Sequence, residues 1–222
     1  MITGFRRREN ASPRQSGVYN RRMTARFSRR VPPGDTHERL VCDQCEFVAY
    51  ENPKLVVGAV CQWEGKVLLC RRDIEPRRGF WTLPAGYLEL SETPEQGAKR
   101  EVREEACADV ELDALLGCYS IARISQVLLI YRGSLRRPEF AAGDETSEAA
   151  LFAPPDIPWE ELAFPSVARA LRDWISVRQT RVFAPFATPE NEVSQELPET
   201  GPLPNLSAIE PSAGTTDVDV RL

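Results

Sequence analysis

The spacing of apolar residues changes period several times along the chain, and each change marks an element. Leu55 to Cys61 is an unbroken apolar run rich in valine, Glu64-Gly65 supplies turn chemistry, and Lys66 to Cys70 returns to apolar residues. Together they predict a β-hairpin. Gly79 to Leu88 crowds aromatics, prolines and glycines together, a composition of strand and loop. The period then becomes helical. Thr93, Pro94 and Gln96 match a capping box with proline in the first turn, and Ala98, Val102 and Ala106 recur at every fourth position, so a helix is predicted over 94–106. Strands are predicted over 114–121 and 126–132, and another beginning at Leu151-Phe152, with an acidic loop around Gly143-Asp144-Glu145. Val167, Leu171, Trp174 and Ile175 return to helical spacing and predict a second amphipathic helix over 166–177. Strands interleaved with helices, and no glycine fingerprint after a strand, imply a mixed α/β sandwich rather than a doubly wound parallel sheet.

The two ends break this pattern. Up to Pro33 there are nine arginines against one acid, Glu9, and no apolar periodicity. From Pro185 to Leu222 there are six prolines and seven acids, with Arg221 the only base. Neither stretch carries enough apolar surface to offset the entropy of ordering it, so residues 1–36 are expected to be a disordered basic leader and 182–222 a disordered acidic, proline-rich tail. That leaves 37–53 and 54–181 to fold, and a 42% hydrophobic composition suffices for one core. The formal net charge of -5 matters less than this asymmetry.

No run reaches the roughly 18 apolar residues of a membrane span, and the start lacks the apolar core of a signal peptide, so a soluble, cytoplasmic protein is expected. Nucleic acid is not an expected partner, because no aromatic-rich face accompanies the leader arginines. The cysteines Cys42, Cys45, Cys61, Cys70, Cys107 and Cys118 are scattered through apolar segments, as reduced and partly buried thiols would be.

The candidate chemistry lies on the first helix. Glu101, Glu104 and Glu105 stand at i, i+3 and i+4, so their carboxylates project from one face. Like charges at that spacing weaken a helix by a few tenths of a kcal/mol per pair. A hard divalent cation would relieve them, since Mg²⁺ prefers oxygen ligands, keeps several waters and completes its shell with substrate phosphates.

Gly86, then Glu92, then Arg100-Glu101-Val102-Arg103-Glu104-Glu105 resembles the Nudix box, over Gly86 to Ala108. Ser91 stands where glycine often precedes the first glutamate, and Cys107-Ala108 replaces a glycine and aliphatic pair. Asn52-Pro53-Lys54, Leu68-Leu69-Cys70-Arg71-Arg72, Gly79 to Glu89, and Phe164-Pro165-Ser166 are similar to a Nudix subgroup that carries an N-terminal zinc ribbon, and extend the likeness to about Arg39 through Trp174. The resemblance implies an α/β/α sandwich with a mixed sheet. It also implies magnesium-dependent hydrolysis, with manganese as an alternative metal, of the diphosphate bond in a nucleotide derivative such as FAD or ADP-ribose.

On that reading Glu101, Glu104 and Glu105 hold the metal, and Arg100 orients a carboxylate by charge-assisted hydrogen bonds, since guanidinium does not titrate. Arg72 is the candidate phosphate contact. Glu145 and Glu148, on the acidic loop, are candidate substrate contacts and compete with Glu104 and Glu105 as general base. Trp81 is open between base stacking and core. A sensor with the same fold but no catalysis is the alternative function, and a homodimer is left open. Of the ribbon only Cys42-Asp43-Gln44-Cys45 is present, and a structural zinc site needs four ligands, so bound zinc is not expected.

Overall fold

The computed structural model describes residues 26–189. They divide into two compact units with the boundary after Glu51.

The first unit is a small antiparallel sheet of β1 (Phe27–Arg30), β2 (Arg39–Cys42) and β3 (Val48–Ala49), in which Phe27 opposes Cys42 and Val41 opposes Val48. Asp35 holds the connection between β1 and β2. It accepts from the backbone of Thr36 and His37 and from Arg39 Nε at 3.0 Å, which together keep its carboxyl down at about 2. The expected leader is therefore too long: residues 27–30 are a strand, because their backbone finds a partner in β2 even though their side chains bury little. Residues 1–25 of that leader lie outside the described residues.

The second unit is built on β4 (Lys54–Trp63), β5 (Lys66–Arg72), β6 (Trp81–Thr82), β7 (Ala85–Tyr87), β8 (Val110–Ile121), β9 (Gln126–Leu135), β10 (Thr146–Phe152) and β11 (Phe186–Ala187). Across the sheet the order is β10-β5-β4-β9-β8-β11, with β6 against β5 and β7 against β4. The β4/β9 and β8/β11 pairs are parallel and the rest antiparallel, so the sheet is mixed. Helix α1 (Pro94–Ala106) covers one face and α2 (Pro165–Val177) the other.

This sandwich explains the uninterrupted apolar run in β4. Val57, Ala59 and Cys61 face Ala98, Val102 and Ala106 of α1, whereas Val60 joins Leu116, Ile130, Leu171 and Trp174 on the α2 side. A strand buried on both faces has no polar side to alternate with. The capping box forms as predicted: Thr93 Oγ1 accepts from Gln96 N, and Gln96 Oε1 accepts from Thr93 N at 2.8 Å.

The expected tail also begins too early. Phe186 is buried and stacks on Phe183 with ring centroids 6.2 Å apart, and β11 adds to the edge of β8. Residues 190–222 of that tail lie outside the described residues. All six cysteines are free thiols, and burial pushes Cys61 and Cys70 far above the ordinary thiol range. Among the described residues no helix is long and apolar enough to cross a membrane.

Candidate active site

Helix α1 lies beside the loop that precedes it, and Arg100 ties the two together. Its guanidinium donates to Glu92 at 2.8 and 3.1 Å, to Glu101 at 2.6 Å, to Glu104 at 3.0 Å and to the Tyr87 carbonyl at 3.0 Å. These partners, Glu92 first, raise its pKa further, so it is a permanent cation and a positioning group. Glu92 in turn accepts the Glu89 N–H at 2.7 Å, and its carboxyl is held below the ordinary range by Arg100 and that N–H.

The box carboxylates meet different surroundings. Glu101 and Glu105 are only 7% and 8% exposed, while the Glu104 side chain is 58% exposed. Burial is the main cause that raises Glu101, with Arg100 opposing it. Burial pushes Glu105 up to about 7, against the hydrogen bond that its Oε2 accepts from Ala85 N at 3.0 Å. Glu101 and Glu145 add like charge to Glu105.

Gly86 leaves the space that Glu101 occupies, since a Cβ there would lie 2.5 Å from both carboxylate oxygens. Gly143 is equally constrained, because its Cβ would run into the carbonyl of Glu104. The acidic loop is thereby laid against the end of α1, with Ala141 N and Gly143 N donating to Ala106 O and Glu105 O.

A cavity of about 1380 Å³ opens here, and Glu101, Glu104, Glu105, Glu145 and Arg72 all line it. Arg72 donates through Nε to Pro76 O at 2.8 Å and lies 5.3 Å from the Phe164 ring. One expected group is placed elsewhere, and the open reading of Trp81 is decided. Glu148 pairs with Arg71 Nε at 3.2 Å and is not among the lining residues. Trp81 is core, 3% exposed and edge-on to Phe152.

The chemistry of this donor set suits a hard cation: carboxylates on one helix face, Glu101 and Glu105 raised chiefly by burial, a cradle that a methyl group would fill, and open cavity on one side. It is not a preformed shell, for among the described residues no group of three or more such side chains converges as a metal site. That is the situation in which Mg²⁺ takes a few carboxylates and leaves its other positions to water and phosphate.

The ribbon differs. Cys42 is buried and its thiol is lowered by the backbone N–H groups of Gln44 and Cys45, but the residue opposite it on β1 is Phe27, and neighbouring Ser28 donates through Oγ to Asp43 at 2.7 Å. The only histidine, His37, is occupied with Thr36 Oγ1 at 2.9 Å. Two thiols do not complete a tetrahedral zinc shell.

Some lining residues had no signal in the motif. Tyr119 and Arg169 line the cavity from β8 and α2, with Tyr119 OH donating to the fully buried Asp173 at 2.9 Å. Two charged residues, Arg169 and Asp173, among the apolar residues of the buried face of α2 were the available clue.

The NUDIX domain family model matches residues 52–175, and the Nudix N-terminal zinc-ribbon model matches 24–51. An ADP-ribose pyrophosphatase of Methanocaldococcus jannaschii is 30% identical over 126 residues, covering 55% of this chain and 73% of that protein. A MutT-like protein of Streptomyces ambofaciens is 44% identical over 77 residues, covering 35% of this chain and 48% of that protein. A solved structure of a NUDIX hydrolase from Nitrosomonas europaea is 42% identical with a TM-score of 0.71, covering 75% of this chain and 94% of its own.

Proposed function

The chain belongs to the Nudix hydrolase family, and on that footing we propose that it hydrolyses the diphosphate bond of a nucleoside diphosphate derivative, with ADP-ribose and FAD as the first candidates. The observation that carries this reading is that Glu101, Glu104, Glu105 and Glu145 line one cavity with Arg72. Glu101, Glu104 and Glu105 would hold magnesium, or manganese in its place. When bound, the metal supplies charge neutralisation on the diphosphate and polarisation of the attacking water.

The chain's own groups have separable tasks. Arg100 fixes the carboxylates of Glu101 and Glu104 against Glu92 and the Tyr87 carbonyl, so that they are oriented before substrate arrives. Arg72 offers its remaining N–H groups to a phosphate oxygen. Glu105, which burial raises to about 7 in the metal-free site, lines the cavity and is a candidate to accept a proton from water. Glu145 faces the same cavity and is the competing base. Glu148 takes no part, because it is held by Arg71.

ADP-ribose leads the candidates because a relative with 30% identity is named for that activity. FAD follows, since a cavity of about 1380 Å³ exceeds the roughly 300–1,000 Å³ of ordinary ligand pockets. We place the protein in the cytoplasm, where such substrates occur. The test is a panel of ADP-ribose, FAD, NADH and nucleoside triphosphates with Mg²⁺, products resolved chromatographically. ADP-ribose or FAD should yield AMP, and no turnover of any of them with either metal would defeat the proposal.

A further inference from the structure

The cavity floor is a row across the sheet. Tyr87 on β7 opposes Val56 on β4, Val56 opposes Leu128 on β9, and Leu128 opposes Tyr119 on β8. On the far side β11 pairs with β8 so that Ala187 lies beside Cys118, which brings the next residue, Thr188, to the level of Tyr119. Ser120 N donates to Thr188 Oγ1 at 2.9 Å. Tyr87, Val56, Leu128, Tyr119, Ser120 and Thr188 all line the cavity. From β7, next to Arg100 and the box carboxylates, to β11 there are four interstrand steps. At about 4.8 Å each they span roughly 19 Å.

We propose that Thr188, at the end of the strap formed by residues 182–188, marks a nucleoside-binding subsite at the far end of this row, its hydroxyl donating a hydrogen bond to the base or sugar of the substrate. The proposal rests on the diphosphatase reading for the identity of the ligand.

Length and polarity argue for it. A diphosphate held at the carboxylates cannot reach Thr188, so the far end can meet only a substituent on that diphosphate. Between the two ends the floor is Val56 and Leu128, a dry strip that suits the face of a planar ring. The far wall is polar again, with Thr188 and Arg169. A threonine hydroxyl has one donor and two acceptor positions. Ser120 fills an acceptor position, which leaves the proton for an acceptor on the ligand, such as a ring nitrogen, a carbonyl or a sugar oxygen.

The strap is also tied to the sheet at its start. Arg132 Nη1 donates to Val177 O at 2.9 Å and Thr180 O at 2.8 Å, its guanidinium pairs with Asp113 at 2.7 Å, and it lies 4.6 Å from the Phe183 ring. Phe183 and Phe186 then anchor the strap to the sheet. This segment lies beyond the residues matched by the family model, which end at 175.

The test measures binding by calorimetry on the full chain in EDTA, with ADP-ribose, FAD and NADH as probes, and inorganic diphosphate with Mg²⁺ as a probe of the carboxylate end alone. Thr188→Val should weaken the tightest nucleotide about tenfold and leave diphosphate affinity within twofold, and Thr188→Ser should bind like the parent. In the parent, amide hydrogen exchange over 182–189 should slow when that nucleotide is added. Equal nucleotide affinity in parent and Thr188→Val, a Thr188→Ser variant as weak as the valine, unchanged exchange in the strap, or binding of none of the probes would each overturn the subsite. Nucleotide binding that depends on Thr188 without turnover in Mg²⁺ would defeat the diphosphatase reading and leave the subsite standing.

Discussion

Gly86 and Glu101 share one volume: a Cβ on the glycine would sit 2.5 Å from either oxygen of the glutamate. A glycine is required there for space, not for backbone freedom. Gly86→Ala should therefore push the Glu101 carboxylate from its place and lower kcat/KM at least tenfold, about 1.4 kcal/mol of barrier, with the fold retained by circular dichroism. Parental kinetics in a folded variant would remove Glu101 from the metal-holding set.

Arg100 holds Glu92, Glu101 and Glu104 through a planar fork that an ammonium cannot reproduce. Arg100→Lys is expected to reduce turnover about tenfold and to raise the Mg²⁺ concentration for half-maximal rate. Glu104→Gln and Glu105→Gln should each cost more than tenfold at saturating metal. Arg100→Lys with an unaltered metal requirement would show that orientation of the carboxylates is not its task.

The helix and its box were legible in the sequence because their determinants are local. Thr93, Pro94 and Gln96 define the start of α1 within a few residues of one another, and the spacing of the carboxylates follows from helical geometry alone. Where partners come from elsewhere, the pattern misled. Phe27–Arg30 is almost wholly polar and becomes a strand only beside β2, and Phe186–Ala187 is too short to read until the edge of β8 is in place. Glu145 and Glu148 looked equivalent. They are separated by the bulge between Thr146 and Glu148 in β10 and by Arg71, which holds Glu148, and neither can be seen from spacing.

Burial raises Glu105 from 4.5 to about 7, and this fixes the sign of a pH effect. Between those values the metal-free folded protein keeps a proton that the unfolded chain has released. Its contribution to stability is complete below about 4.5 and is lost as pH rises through 7, by roughly 3 kcal/mol. Urea unfolding in EDTA at pH 5 and 7.5 should show the decline in the parent and a flatter response in Glu105→Gln. Parallel behaviour of the two proteins would mean another group titrates. Metal binding should show the opposite trend and tighten as Glu105 deprotonates.

Asp173 is fully buried and accepts from Tyr119 OH. Tyr119→Phe removes a donor without opening a cavity, so the buried acceptor loses a partner, at a cost of about 1–3 kcal/mol. Thermal denaturation should record a lower melting temperature. An unchanged midpoint would show that the other groups around Asp173 satisfy it alone.

In the ribbon, Cys42 and Cys45 offer two thiolates and Ser28 is engaged with Asp43. Elemental analysis of purified protein should find far less than one zinc per chain, and Cys42→Ser should hardly move stability. Stoichiometric zinc that survives dialysis against a mild chelator would overturn this and call for ligands from a second chain or from a segment upstream of this sequence.

The parallel pairing of β4 with β9 has a consequence for how the protein is made. Gln62 and Ser134, which bond across it, are 72 residues apart in sequence. During synthesis α1 and its glutamates leave the ribosome before β9 exists, so the nascent chain carries a capped, acidic helix whose apolar stripe has no finished sheet to cover. Closing so long a loop costs entropy that only the completed pairing repays, which favours completion of the fold after residue 135 has emerged. Chains stalled before that point expose the interior of both layers and become substrates for chaperones and proteases.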